Sequence, residues 1–315
     1  MTLQSSSHLI ASPWQLGAPL YMPAHRPDLI AIANGEKLPY LRTMIFCTED
    51  AILNKEIEHS LGQLKRCLAA LKTTAEPRFR FIRVRHPNLL TRLLQLPGIE
   101  TIDGFVLPKF NEAVFNAYFD QLSHTNFKIM PTLETKEVFD VGAMQALRDA
   151  LLHETILKHV LMLRIGGNDL FNLLGIRRTR GLTLYDTPLA HVIAQLLTIF
   201  KPYDFHLSAP VFDYLDDIET LRRELRIDLA YGLTGKTAIH PEQVALIESA
   251  YAVSADDYQM ALSICAEQAP AVFKMHNAMC EVTTHQRWAR DVLNRQRSFG
   301  VIVAGSIQQD VCVLG

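Results

Sequence analysis

Eight short apolar segments alternate with longer segments of helical character, and this alternation constrains the fold more than any other feature. The apolar segments are rich in β-branched and aromatic residues and are too short for helices, as expected for buried strands. They begin at residues 19, 43, 79, 104, 128, 159, 205 and 229 and read PLYMPA, TMIFC, FRFIRVR, GFVLPKF, KIMPTLE, HVLMLRIGG, FHLSAPV and LAYGLTG. This pattern is typical of repeated βα units around a parallel sheet.

The segments between the strands have the spacing of amphipathic helices. After the second strand, Ile52, Ile57, Leu61, Leu64 and Leu68 recur on one helical face. Eight parallel strands separated by helices close most naturally into an α/β fold of the (β/α)8 TIM-barrel type, with its active site at the carboxyl ends of the strands. A doubly wound open sheet is the alternative.

The predicted barrel accounts for most of the chain. We expect residues 1–17 to form an N-terminal extension, residues 18–254 the barrel, and residues 255–315 a helical C-terminal segment. Two helices are predicted near that end, from Ser254 to Gln268 and from Met279 to Gln296. The second is rich in Arg, His and Gln, and we expect it to cover the mouth of the barrel or a neighbouring subunit.

Charge and cysteine content exclude several classes of partner. The 31 Lys and Arg residues are balanced by 33 Asp and Glu residues, so no global charge favours nucleic acid or an anionic membrane. The five cysteines are odd in number and widely spaced without a CxxC pair, which indicates reduced packing residues. Neither a leader pattern nor an apolar run of about 20 residues is present, so we expect a cytoplasmic protein.

Polar residues follow the predicted strands where a barrel would gather them at one mouth. Carboxylates and cations alternate there: Glu49 and Asp50 after the second strand, Arg83 and Arg85 in the third, Lys109 in the fourth, Glu134 in the fifth, and Asn168 and Asp169 after the sixth. Glu134 and Asp169 suit a hard cation such as Mg²⁺, which prefers oxygen ligands. The alternative is that both acids cap the helices that follow them.

The cations near the strand ends also allow two interpretations. Arg83 and Arg85 share one face of their strand and are suited to bind a carboxylate or an oxyanion, or else to pair with Glu49 or Asp50. Lys109 is either a substrate-binding cation or a solvated strand-end lysine.

Glycines near two strand ends raise the question of a phosphate loop. The segment GLTGKTAIHPEQV lacks P-loop spacing, although its glycines and Lys236 can present donors to an anion. His240 in the same segment is either structural or a base. Gly166 and Gly167 also lack a nucleotide fingerprint, and we expect them to leave room for a substrate beside Asp169.

Seven motifs, taken in order, resemble one known family. The motifs are PLYMPAHRPDL, IFCTEDAI, RFIRVRHP, GFVLPKF, PTLETKEVF, LRIGGNDLFNLLG and GLTGKTAIHPEQV, spanning roughly residues 18 to 250. They resemble the citrate lyase β-subunit group of the HpcH/HpaI aldolase superfamily. The resemblance implies a (β/α)8 barrel assembled as homotrimers or hexamers that cleaves or forms carbon–carbon bonds, commonly beside a coenzyme A thioester, with Mg²⁺ as cofactor.

The resemblance also implies roles for individual residues. Glu134 and Asp169 match the metal ligands, and Arg83 matches an arginine that orients the substrate and stabilises the negative charge that develops on it. Glu49 and Asp50 match acids that lie behind the metal site. Glu281 lies where many relatives carry an aspartate, which acts as a base in a neighbouring subunit. Substrate binding is expected from Arg83, Arg85, Lys109, Gly166, Gly167 and Lys236.

Departures from the family pattern leave the substrate open. Cys47 replaces a common aspartate and Arg85 a common asparagine, and both changes favour a more anionic substrate. The leading hypothesis is a Mg²⁺-dependent lyase or aldolase acting on a small-molecule carboxylate substrate, for which the resemblance favours an acyl-CoA similar to citryl-CoA or malyl-CoA. One alternative is a metal-dependent aldolase or hydrolase of a free oxo-acid without coenzyme A, and another is a non-catalytic binding protein on the same scaffold.

Overall fold

The computed structural model describes residues 10, 12–73 and 77–302, which form two compact units divided between Ile247 and Glu248. The first unit contains a parallel sheet of seven strands whose spatial order follows the chain. The strands are β1 Leu20–Pro23, β2 Thr43–Cys47, β3 Phe79–Arg83, β4 Gly104–Leu107, β5 Lys128–Leu133, β6 Leu163–Ile165 and β7 Leu207–Ser208. The first seven predicted strands are therefore confirmed, although several are shorter than their apolar segments.

The eighth position of the ring is filled by residues 236–238, which we call the closing segment. Lys236 forms a parallel bridge with Ala209 beyond β7, and Ala238 forms one with Leu20 of β1. The two edges of the seven-stranded sheet are thereby joined, which confirms the barrel over the open sheet. The prediction of an eighth strand starting at Leu229 is wrong, because Leu229 lies in the last turn of a helix.

Helices separate the strands, as predicted, and α2 shows why they form there. Its residues Leu61, Leu64 and Leu68 are buried on one face, so packing stabilises the amphipathic pattern. The helices of the first unit are α1 Leu29–Ala33, α2 Ile57–Ala69, α3 Pro87–Leu94, α4 Glu112–Leu122, α5 Val141–Leu151, α6 Glu154–Leu157, α7 Gly167–Leu173, α8 Leu189–Phe200, α9 Ile218–Ala230 and α10 Pro241–Tyr251, which runs into the second unit.

Inward-facing side chains change from apolar to polar along each strand. Phe79 and Phe81 of β3 lie in the apolar cluster inside the barrel, and Met130 of β5 joins them. Because side chains on one face recur every second residue, the same inward faces continue to Arg83 and, through Thr132, to Glu134. The alternation of side chains along the strands therefore places polar groups at the carboxyl end of the barrel, and the apolar cluster fills the interior below them.

The second unit contains helices and a hairpin. Its elements are β8 Val253–Ser254, α11 Ala255–Ile264, β9 Val272–Met275, β10 Ala278–Glu281, α12 Val282–Phe299 and β11 Val301–Ile302. The two predicted helices are present, but the second does not begin at Met279, which lies in β10. A two-residue turn causes this difference: His276 and Asn277 both have positive φ angles, which favour a tight hairpin.

Some predictions fall outside the described residues. Residues 1–9 and 11 of the predicted N-terminal extension lie outside them, as does Cys312. The other four cysteines have free thiols. No helix among the described residues is long and apolar enough to cross a membrane.

Candidate active site

A cavity of about 480 Å³ opens at the carboxyl ends of the strands in the first unit. Its lining combines acids, arginines and small residues from five strands and the turns after them. The lining residues that matter for chemistry are Tyr21, Cys47, Glu49, Asp50, Arg83, Thr132, Glu134, Arg164, Gly166, Gly167 and Asp169. The structure thus brings together most of the residues that the sequence placed at one mouth.

Glu134 is a buried carboxylate at the end of β5, with only 3% of its surface exposed. Its Oε1 accepts hydrogen bonds from Arg83 Nη2 at 3.0 Å and from the backbone N–H of Lys109 at 2.8 Å. Burial raises the pKa of Glu134 to about 7 although Arg83 opposes the shift, and the nearby Asp169 adds to it. The alternative that Glu134 caps the next helix is wrong, since its oxygen is used inside the mouth.

Asp169 enters the cavity from the first turn of α7, whose N-cap is Gly166. Its side chain is 29% exposed, and its Oδ1 lies 3.6 Å from Lys109 Nζ. A Cβ built on Gly166 would stand 2.1 Å from Glu134 Oε2. The absence of a side chain at Gly166 is therefore what allows the two carboxylates to share the mouth.

Arg83 connects the acids of the mouth. Its Nε donates to Glu49 Oε2 at 2.8 Å, and its Nη1 donates to the Tyr21 hydroxyl at 3.2 Å. Burial alone would lower the pKa of this guanidinium, but Tyr21 and the carboxylates of Glu134 and Glu49 raise it well above its usual value. Arg83 therefore both lines the cavity and makes the structural pair with Glu49 that the sequence left open.

Lys109 is held at the mouth by three carboxylates rather than free in solvent. Its backbone has a φ of 47°, and its ammonium group pairs with Glu49, with Asp50 at 3.5 Å and with Asp169. Burial would raise the pKa of Glu49, but Arg83 and the hydrogen bond from Lys109 lower it to about 2. Burial and the neighbouring Glu49 raise the pKa of Asp50, which is the more exposed acid. Glu49 is thus a fixed anion, whereas Asp50 can exchange a proton more readily.

Two predicted substrate-binding cations have structural partners instead. Arg85 Nη1 donates to the carbonyl oxygens of Glu49 at 3.1 Å and Ile52 at 3.0 Å, which fixes the turn after β2. Lys236 is completely buried, and its Nζ lies 2.8 Å from Glu224 Oε1 and 2.9 Å from Asp228 Oδ2 of α9. We therefore correct the prediction for Lys236 to a structural role, because its charge is neutralised behind the barrel wall.

Two further predictions concern residues in other settings. His240 Nδ1 accepts a weak hydrogen bond from the backbone N–H of Glu242 at 3.4 Å, in the first turn of α10, which favours its structural interpretation. Glu281 belongs to the second unit, where its carboxylate accepts a hydrogen bond from Thr284 Oγ1 at 3.0 Å. Its action as a base in a neighbouring subunit stays a prediction.

Sequence reasoning missed Arg164 and Thr132, which both line the cavity. They lie opposite each other in the parallel pairing of β5 and β6. Inward alternation from Glu134 and Gly166 identifies both, since each precedes one of those residues by two positions. In the sequence, however, Arg164 is a single polar residue within an apolar strand segment, and this pattern alone does not show whether its side chain faces the cavity.

The residues present fit a divalent cation. Glu134 and Asp169 provide oxygen ligands, and Gly166 leaves space beside them. No group of three or more His, Cys, Asp or Glu residues arranged to hold a metal occurs among the described residues. In enzymes, Mg²⁺ is commonly bound by one or two carboxylates, and water or substrate oxygens occupy its remaining coordination positions.

A closed parallel barrel with a charged cavity at its carboxyl end places the chain among the TIM-barrel proteins. The family model described as C-C bond lyase of the TIM-barrel fold matches residues 10–301. The chain belongs to this family of carbon–carbon bond lyases, as the resemblance of its motifs predicted. No curated protein matches the chain.

Solved structures share the fold at low sequence identity. The CitE protein of Mycobacterium tuberculosis, in complex with magnesium, acetoacetate and coenzyme A, is 19% identical with a TM-score of 0.64, covering 90% of this chain and 98% of that one. RipC of Yersinia pestis is 18% identical with a TM-score of 0.59, covering 78% and 98%. The citrate lyase β subunit of M. tuberculosis, complexed with oxaloacetate and magnesium, is 20% identical with a TM-score of 0.55, covering 76% and 98%.

Proposed function

We propose that this protein is a Mg²⁺-dependent lyase that cleaves or forms a carbon–carbon bond in a small carboxylated substrate. The observation that carries the proposal is the convergence of Glu134 and Asp169 on one cavity beside Arg83. The similar proteins of M. tuberculosis were crystallised with magnesium together with small oxo-acids, which supports the same chemistry here.

Each charged group at the mouth has a separate task in this reaction. When bound, Mg²⁺ supplies positive charge that stabilises an oxygen anion developing on the substrate. Arg83 adds a second, permanently positive charge, and its bonds to Glu49 and Glu134 fix its position before the substrate arrives. Asp50 lines the cavity with a raised pKa, and we assign it the movement of the substrate proton. Cys47 adds a neutral thiol, because burial raises its pKa.

An acyl-thioester substrate is the form of the proposal that the family resemblance favours. The cavity accommodates a small acid, so the carrier part of a thioester would lie outside it. The second candidate is a free oxo-acid, which the size of the cavity favours. Calorimetric titration of the Mg²⁺-loaded protein with acetyl-CoA and with pyruvate separates them: binding of the thioester supports the first candidate, and binding of pyruvate alone supports the second.

The metal assignment is tested by titrating Mg²⁺ or Mn²⁺ into the parent, Glu134→Gln and Asp169→Asn. We expect each substitution to reduce metal affinity at least about 10-fold, because each removes one of two anionic ligands. Glu112→Gln, an identical change at an exposed position of α4, is the control and should bind metal as the parent does. Unchanged affinity in both site variants would refute the metal site.

Catalysis itself is tested with Arg83→Ala in a screen of lyase and thioesterase substrates. Turnover by the parent that is lost in the variant supports an enzyme, whereas absence of turnover from a parent that binds metal and acid would favour a binding protein on the same scaffold.

A further inference from the structure

Arg164 is a buried cation in the middle of β6 whose side chain lines the cavity. Only 4% of its surface is exposed. Its Nη2 donates to Thr237 Oγ1 of the closing segment, but its Nε and Nη1 have no hydrogen-bond partner among the described residues. Because nearly all buried polar groups in folded proteins are hydrogen-bonded, this exception needs a physical explanation.

The charge of Arg164 is also uncompensated. No carboxylate in the described part of the chain forms an ion pair with it, and its other close neighbour is the Tyr21 ring, whose centroid lies 5.2 Å from Cζ. Two other buried arginines of the first unit differ, since Arg83 contacts Glu49 and Glu134 and Arg178 contacts Glu224. An unpaired buried charge reduces stability, so its presence points to an anion that arrives from solution.

Hydroxyl groups on the two neighbouring strands add hydrogen-bonding groups beside Arg164. Thr132 of β5 and Ser208 of β7 flank Arg164 in the strand register, and both are buried. Their hydroxyl oxygens also lack hydrogen-bond partners within the described ranges. Thr132 lines the same cavity as Arg164, so a ligand there meets a guanidinium fork and a hydroxyl from adjacent strands.

The distance between Arg164 and the acids Glu134 and Asp169 sets the size of a ligand that can contact both. Arg164 precedes Gly166 by two residues, which places its backbone about 7 Å deeper along β6. The Tyr21 ring lies between the levels, 5.7 Å from Arg83 Cζ and 5.2 Å from Arg164 Cζ. A molecule of four or five carbons can therefore contact both levels.

We propose that Arg164, assisted by Thr132, binds a second carboxylate of the substrate and selects dicarboxylic over monocarboxylic acids. The inference rests on the proposed function, in which the first carboxylate binds beside Glu134 and Asp169. The planar fork of arginine matches a carboxylate, and pairing there neutralises the buried charge. A water molecule held beneath Arg164 can accept hydrogen bonds but does not neutralise that charge.

The test compares L-malate with L-lactate, which share a 2-hydroxy acid head and differ in the second carboxylate. Calorimetry with saturating Mg²⁺ is expected to show malate binding at least about 10-fold tighter than lactate in the parent. Arg164→Met should remove this preference and leave lactate affinity unchanged, and Thr132→Val should reduce the preference by a smaller factor. Equal losses for both acids, or an unchanged preference, would overturn the proposal.

Thermal unfolding without ligand separates a binding role from a structural one. Arg164→Met is expected to keep or raise the melting temperature, since relief of the unpaired charge exceeds the loss of one hydrogen bond. Arg178→Met is the matched control and should lower it, because the buried Glu224 loses one of its two cationic partners. A comparable fall in both variants would assign Arg164 to structure.

A third variant separates this proposal from the proposed function. Asp169→Asn is expected to weaken malate and lactate equally, because both share the acid head. If Asp169→Asn affects neither acid while Arg164→Met still removes the preference for malate, the metal site fails and the carboxylate site stands.

Discussion

Substitution of Gly166 by alanine tests whether empty space at the N-terminus of α7 builds the mouth. The backbone itself tolerates alanine, since φ at Gly166 is −90°. The added Cβ, however, would stand 2.1 Å from Glu134 Oε2 and 2.5 Å from Glu134 Cβ. Contacts of this kind normally exceed about 3.4 Å, so Glu134 or the α7 turn has to move by about 1 Å.

The displacement has two measurable costs. Overpacking of a rigid site costs about 1–3 kcal/mol in the free energy of unfolding, which the reduced entropy of the unfolded chain offsets by less than about 1 kcal/mol. Glu134 also loses the geometry of its hydrogen bonds from Arg83 and Lys109, so we expect Mg²⁺ affinity to fall about 10- to 100-fold. Urea unfolding and metal titration measure the two effects separately.

The matched control is Gly62→Ala in α2, where a new Cβ has only Arg66 Nη1 nearby, at 3.9 Å. Alanine there should stabilise the helix by about 0.5–1 kcal/mol and leave metal binding unchanged. If Gly166→Ala matches the parent in both stability and metal affinity, the close approach between α7 and Glu134 does not shape the site.

Two further predictions concern buried charges. Lys236→Met should lower the free energy of unfolding, measured in urea, by about 3–5 kcal/mol, because the buried carboxylates of Glu224 and Asp228 lose the cation that they share. Lys72→Met, at an exposed ion pair, is the control and should change it by less than about 0.5 kcal/mol. Equal effects of the two substitutions would contradict the buried pairing. Glu49 has a pKa of about 2 in the folded protein, below its usual value, so its stabilising contribution is present above that usual value and is lost as pH falls toward 2. The stability difference between the parent and Glu49→Gln should therefore shrink between about pH 4.5 and pH 2, and a difference independent of pH would contradict the shift.

The fold and the principal acids could be predicted because they depend on periodic signals. Apolar strand segments locate seven strands, and the carboxyl ends of parallel strands necessarily share one mouth, which brings Glu134, Asp169 and Arg83 together. The eighth strand is misplaced because LAYGLTG is equally apolar in a helix: Leu229 follows Leu221 and Leu225 at helical spacing, and α9 ends only at Ala230.

Side-chain direction and pairing were less predictable than position. Lys236 follows a glycine near a strand end, as a ligand-binding lysine would, but two acids one turn apart on α9 are close enough to pair with it. Arg164 shows the converse case, because no sequence pattern reveals that a strand arginine lacks a carboxylate partner. Such information depends on distances between elements that are remote in the chain.

The closing segment has a consequence for how this protein is made. Residues 236–238 join β1 to the far edge of the sheet, and they follow all seven strands in the chain, so they are synthesised after them. Until then, β1 and β7 present unpaired backbone groups of the kind through which nascent chains associate with one another. A chain truncated before Lys236 would retain both open edges, so aggregation rather than a smaller folded barrel is its expected fate.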